Sequence, residues 1–101
     1  GVMFMNKFKK EIENGIVVVD FFAKWCEPCK LLAPIFDNVS KEMGGKIKFS
    51  KIDIDNNLEI AREYRVSSVP TVLIFKDGQV VDSIVGFLPK DTLKSKIHAQ
   101  I

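Results

Sequence analysis

The sequence predicts an α/β sandwich, a mixed and twisted sheet with helices packed on both faces. Three observations predict it. The apolar pattern changes period several times along the chain, as expected where strands alternate with helices. A run that is apolar on both faces, Ile16 to Phe22, is followed by a long stretch at helical spacing and then by another strand pattern, which is the order of a βαβ unit. Late in the chain Asp77-Gly78 separates two apolar runs, a strong hairpin signal that adds antiparallel strands.

Each element follows in order. Met5, Phe8 and Ile12 fit a short amphipathic helix ending near Gly15. Ile16 to Phe22 then reads as a central strand covered on both sides. From Pro28, the residues Leu31, Leu32, Ile35, Phe36, Val39 and Met43 recur at helical spacing until Gly44-Gly45 stops them. Pro34 falls inside this helix and is expected to bend it, because its missing N–H removes one rung of the ladder. Ile47 to Ile54 reads as a strand and Leu58 to Tyr64 as a helix, with Asn56 or Asn57 available to cap it. Thr71 to Phe75 and Val80 to Val85 flank the turn, and Leu93 and Ile97 mark a last amphipathic helix after Pro89.

At 101 residues, 47% hydrophobic and 28% charged, the chain has the size and balance of one globular domain with a single core. Its net charge of +2, with lysines spread along the chain, calls for neither a nucleic-acid partner nor a membrane surface. Gly1 to Gly15 has no continuous apolar stretch of the signal-peptide kind. Ile16 to Ala23 is too short to span a bilayer and is interrupted by Asp20. The expected compartment is the cytoplasm. Gly1-Val2, ahead of Met3 and Met5, is expected to be a remnant of expression.

The chemistry concentrates in Trp25-Cys26-Glu27-Pro28-Cys29-Lys30, which holds the only two cysteines. Cys26 falls just after the central strand at the start of a helix, where backbone N–H groups and the helix dipole favour a thiolate. Cys29, one turn later, is placed to close on Cys26 or to resolve a mixed disulfide. Pro28 suits the first helical turn. Three readings stay open on the residues alone: a redox pair, half of a metal site, or two inert core cysteines. The redox reading is favoured. A structural zinc needs four ligands, and the only other strong candidate, His98, sits on the last helix and reads as an ordinary helix-end residue.

Asp20 interrupts an apolar strand, so its charged form is poorly solvated and its pKa should rise. Lys51 shares the strand face of Ile47 and Phe49, so its head group could point inward as a partner. A carboxyl beneath the helix start could take and return the proton of Cys29. A structural buried ion pair, or a bend that leaves Asp20 wet, fits the position about as well. Val69-Pro70 precedes a strand, and nothing local decides whether its peptide bond is cis. Trp25 fits a core aromatic or a contact residue equally.

Taken together, these residues resemble the thioredoxin family. The likeness runs from about Ile16 to the end. It includes Val19-Asp20-Phe21, Ala23, Trp25-Cys26-x-Pro28-Cys29-Lys30, Ala33-Pro34, Lys51, Asp53, Val69-Pro70-Thr71, Asp77-Gly78 and Val85-Gly86. The resemblance implies one thioredoxin-like domain over residues 1–101, a central mixed sheet of four to five strands with helices on both faces. It implies a protein-disulfide reductase in which Cys26 attacks, Cys29 resolves, Asp20 assists proton transfer and Lys51 tunes Asp20. It further implies a cis Pro70 facing the disulfide and a docking groove of Trp25, Pro28, Val69, Pro70 and Gly86. The implied partners are a thioredoxin reductase and disulfide-containing clients, met as a monomer and with no bound cofactor or metal.

Three departures stand out. Glu27 replaces the usual glycine, and its carboxylate should make the Cys26 thiolate less favourable than in relatives with glycine there. Phe22 replaces a common tryptophan. The N-terminal segment is short, so the family's first strand is expected to be stubby or missing. Two rival functions remain: a glutaredoxin-like or disulfide-forming variant, and a protein-binding module whose redox activity is incidental.

Overall fold

Strand β1 (Ile16–Phe22) organises the molecule because it is paired along both edges. It runs parallel to β2 (Lys48–Asp53) on one side and antiparallel to β3 (Thr71–Lys76) on the other. Strand β4 (Gln79–Val85) pairs antiparallel with β3 and completes a four-stranded sheet in the order β2-β1-β3-β4. The computed structural model describes residues 2–101. Helix α1 (Val2–Ile12) precedes β1, α2 (Glu27–Met43) joins β1 to β2, α3 (Leu58–Glu63) leads toward β3, and α4 (Lys90–His98) ends the fold.

Alternation along β1 divides the core in two. Val18 points to one face, where Leu32, Phe36 and Val39 of α2 pack with Leu93 and Ile97 of α4. Val17, Val19 and Phe21 point to the other, against Phe8 and Ile12 of α1 and Ile60 of α3. Helices therefore cover both faces, and the strand is apolar on both as expected. Asp20 has the parity of Val18 and so lies beneath α2.

The element boundaries differ from the sequence expectation mainly at their ends. β2 is one residue shorter at each end, and Ile47 instead forms an isolated bridge with Gly44. Helix α3 stops at Glu63 and ends in a reverse turn, with Arg65 at φ 57° and the Val66 N–H donating to the Ala61 carbonyl at 2.8 Å. Asn57 occupies the cap position of α3 but makes no cap bond; its side chain turns back to the Asp53 carbonyl at 3.0 Å. Helix α2 continues through Pro34 to Met43. Among the described residues no strand precedes β1, so of the two outcomes expected, stubby or missing, it is missing, and the expected helix, α1, leads into β1. Of the expected expression remnant, Gly1 lies outside the described residues and Val2 opens α1.

At the hairpin, Asp77 and Gly78 both take positive φ, 50° and 85°. That is the pair a type I′ turn requires, and it matches the strand twist. Asp77 also fastens the turn to the start of β1: its Oδ1 accepts from the Gly15 N–H at 2.8 Å, and its own N–H donates to the Gly15 carbonyl at 3.0 Å.

Candidate active site

The site forms where β1 ends and α2 begins. After Phe22 the chain turns, and the Cys26 N–H donates to the Ala23 carbonyl at 3.2 Å. Cys26 then caps α2 from an extended backbone, with Pro28 in the first turn. Its Sγ accepts a hydrogen bond from the Cys29 N–H at 3.2 Å. A sulfur here sits among the unpaired N–H groups of the helix start, which favour negative charge. Cys26 and Cys29 are joined in a disulfide with Cα atoms 5.2 Å apart, within the usual span. Both are buried, packed with Ala23 and flanked by Phe22, Ile54 and Val69.

Asp20 lies behind this pair. A cavity of about 270 Å³ brings Asp20 together with Cys29, Lys51, Phe22, Ala23, Lys24, Lys30 and Ala33. Asp20 is 1% exposed, and its Oδ1 has no hydrogen-bond partner. Burial pushes its pKa up to about 6; the Lys51 charge pulls the other way, and the Asp37 charge adds to the rise.

Lys51 corrects the expected pairing. Its Cα is the register partner of Asp20, so the two side chains share a face. Its ammonium nonetheless binds Asp37 Oδ1 at 2.8 Å rather than Asp20. The two carboxylates compete for one ammonium, and Asp37 takes it because that pair keeps about a third to a half of each side chain in solvent, so less water is lost than in a pair with Asp20.

The rim is built from separate segments. Trp25 is 67% exposed, so it is not a core aromatic, and its indole N–H donates to Asp55 Oδ2 at 2.9 Å. Asp55 is delivered by a tight loop in which Asp53 Oδ1 accepts from the Asp55 N–H at 3.0 Å and the Ile54 N–H returns to the Phe22 carbonyl at 2.9 Å. Glu27 is exposed and pairs with Lys30 at 3.1 Å, which partly neutralises the carboxylate beside Cys26. Pro28 is exposed, Val69 half-buried and Pro70 buried. The Val69–Pro70 bond is cis. Gly86, at φ 93°, donates its N–H to the Pro70 carbonyl at 2.8 Å, tying the end of β4 to this loop.

Two contributors were missed from the sequence. Asp37 continues the stripe of Cys29 and Ala33 at steps of four along α2, a periodicity that could have flagged it. Asp55 meets Trp25 across 30 positions of sequence, and no local pattern announces such a contact. Among the described residues, no three His, Cys, Asp or Glu side chains gather as a metal site. No helix among them is long and apolar enough to cross a membrane.

The Thioredoxin family model matches residues 2–99. The chain belongs to the thioredoxin family. It is 46% identical over 96 residues to a thioredoxin of Bacillus subtilis, covering 95% of this chain and 92% of that protein. A thioredoxin of Staphylococcus aureus is 45% identical over 86 residues, 85% of this chain and 83% of that one. A solved structure described as an initial structural analysis of Plasmodium falciparum thioredoxin superposes with a TM-score of 0.87 at 36% identity, covering 95% of this chain and 93% of that one. With its Cys26–Cys29 pair, this family member is a thiol-disulfide oxidoreductase with protein-disulfide reductase activity. Membership also implies redox partners of two kinds, a reductase and disulfide-bearing clients.

Proposed function

We propose that Cys26 is the attacking sulfur, Cys29 the resolving one, and Asp20 the group that handles the Cys29 proton. In the reduced protein the Cys26 thiolate attacks a client disulfide, forming a Cys26–client bond and releasing one client thiolate. Asp20 accepts the proton of Cys29, directly or through water in the shared cavity. The Cys29 thiolate then attacks Cys26 Sγ, closing the Cys26–Cys29 disulfide and expelling the second client thiolate. Two electrons pass to the client, and the released thiolates take up protons. A thioredoxin reductase returns two electrons to the oxidised pair.

The observation that carries this assignment is the asymmetry of the two sulfurs. Cys26 receives the Cys29 N–H at the helix start, whereas Cys29 lines the cavity that holds Asp20. Lys51 acts as the positive charge that limits how far the pKa of Asp20 rises. Trp25, Pro28, Val69, Pro70 and Gly86 form the rim on which an extended client segment docks; exposed Trp25 and the packing of Val69 against the cysteines support this. The protein works in the cytoplasm as a monomer. In an insulin-reduction assay Cys26→Ser abolishes turnover, whereas Cys29→Ser accumulates client adducts on Cys26. Adducts that instead build up on Cys29 in Cys26→Ser would reverse the assignment.

A further inference from the structure

We propose that Asp37 is a positioning residue for the resolving step: by binding the Lys51 ammonium it keeps that cation off Asp20, leaving Asp20 a free proton acceptor for Cys29. The inference rests on the reading of Asp20 as the group that takes this proton.

Lys51 and Asp20 are register partners on adjacent strands, with side chains on the same face and on the same cavity. An ammonium and a buried carboxylate so placed are expected to pair. They do not: Lys51 Nζ lies 2.8 Å from Asp37 Oδ1, and Asp20 Oδ1 is left without a partner. Asp37 is the competing ligand. It sits two turns beyond Cys29 on the same stripe of α2, so one helix delivers both the thiol and the residue that diverts the lysine.

The consequence is chemical. A carboxylate with an ammonium in direct contact is a weaker base, because the cation stabilises its charged form. A proton acceptor works best when its basicity lies near the working pH. The charged groups bearing on Asp20 are Lys51 from β2, Asp37 from α2, and Lys24 and Lys30 at the cavity wall. Lys30 is engaged by Glu27 at 3.1 Å. Lys51 is thus the cation whose position Asp37 controls. Burial raises the pKa of Asp20, and Asp37 adds to that rise through its own charge.

The test uses the full chain and reads the Asp20 carboxyl directly, by carbon NMR titration, alongside the pH profile of mixed-disulfide resolution. Asp37→Asn should lower the Asp20 midpoint toward the ordinary carboxylate range, move the acid limb of the profile to lower pH, and slow resolution severalfold at neutral pH. Asp37→Glu should restore all three. In a Lys51→Gln background Asp37→Asn should have a smaller effect, because only direct repulsion between the two carboxylates remains. An Asp20 midpoint that does not move in Asp37→Asn, or that moves equally with and without Lys51, overturns the proposal. Asp20→Asn separates the two levels. If it leaves the resolution profile unchanged, proton transfer by Asp20 fails and the proposal fails with it. If it flattens the profile while Asp37→Asn moves nothing, positioning by Asp37 alone is refuted.

Discussion

Near the start of β1, Asp77 and Glu42 are engaged by donors; near its end, Asp20 is not. Asp77 accepts the Gly15 N–H at 2.8 Å, and Glu42 at the end of α2 is held by both Lys90 and Lys94. At the other end of the same strand Asp20 is buried, with Oδ1 unpartnered and the nearby lysine turned to Asp37. The first arrangement fastens turn and helix to the sheet. The second keeps a proton-binding group from settling into a structural pair, at some cost in stability. Substitutions at the two ends should therefore shift stability in opposite directions.

The largest effect belongs to Asp20→Asn. In the folded protein Asp20 titrates near 6 instead of 3.8. Between those values the native state holds a proton that the unfolded chain has lost, so stability falls as the pH rises from about 4 to about 6 and is flat above. The shift corresponds to about 3 kcal/mol at pH 7. Asp20→Asn should recover up to that amount at pH 7 and show no gain near pH 3, measured by urea unfolding across the pH range. A variant less stable than wild type at pH 7 would mean that the ionised carboxylate is well solvated or paired after all. The same variant should slow disulfide exchange.

How far the sequence reveals these two ends differs in a physically sensible way. The sheet, its helices and the Asp77-Gly78 turn were legible because periodicity and turn chemistry are local. Asp20 was legible as an anomaly, since a charge in a two-sided strand stands out from its neighbours. Its partner was not. Parity placed Lys51 on the correct face, but only three-dimensional competition shows that its ammonium goes to Asp37. The Trp25–Asp55 contact was hidden for the same reason, because it depends on how the loop after β2 folds back to the segment that follows β1. Asn57 shows the limit at a helix start: the residue type and position were right, yet Asp53 captured the side chain.

At the engaged end, Asp77→Ala should destabilise by about 1–2 kcal/mol, losing the bond to Gly15 and placing alanine at φ 50°. Asp77→Gly separates the two causes, because glycine accepts that backbone and lacks only the carboxylate. Thermal unfolding of the pair should therefore rank wild type, then glycine, then alanine, with disulfide-exchange rates unchanged in both variants. An alanine variant as stable as wild type would show that the Gly15 contact holds nothing together.

The smallest effect is expected at Glu42, and its character sharpens the contrast with Asp20. Hydrogen bonds from Lys90 and then Lys94 hold its carboxyl below the usual glutamate value. A depressed folded pKa contributes stability above the unfolded value and loses it as the pH falls through the folded one. Because the group lies at the surface, solvent and salt screen most of this contribution. Glu42→Gln should lower the melting temperature slightly at pH 7 and low ionic strength, with the difference vanishing in molar salt and at acid pH. Asp20→Asn also loses its effect at acid pH, but its sign is opposite and its gain should survive salt, since the carboxyl lies out of reach of counter-ions. If salt erased both effects alike, Asp20 would have to be as wet as Glu42, and the difference between the two ends would disappear.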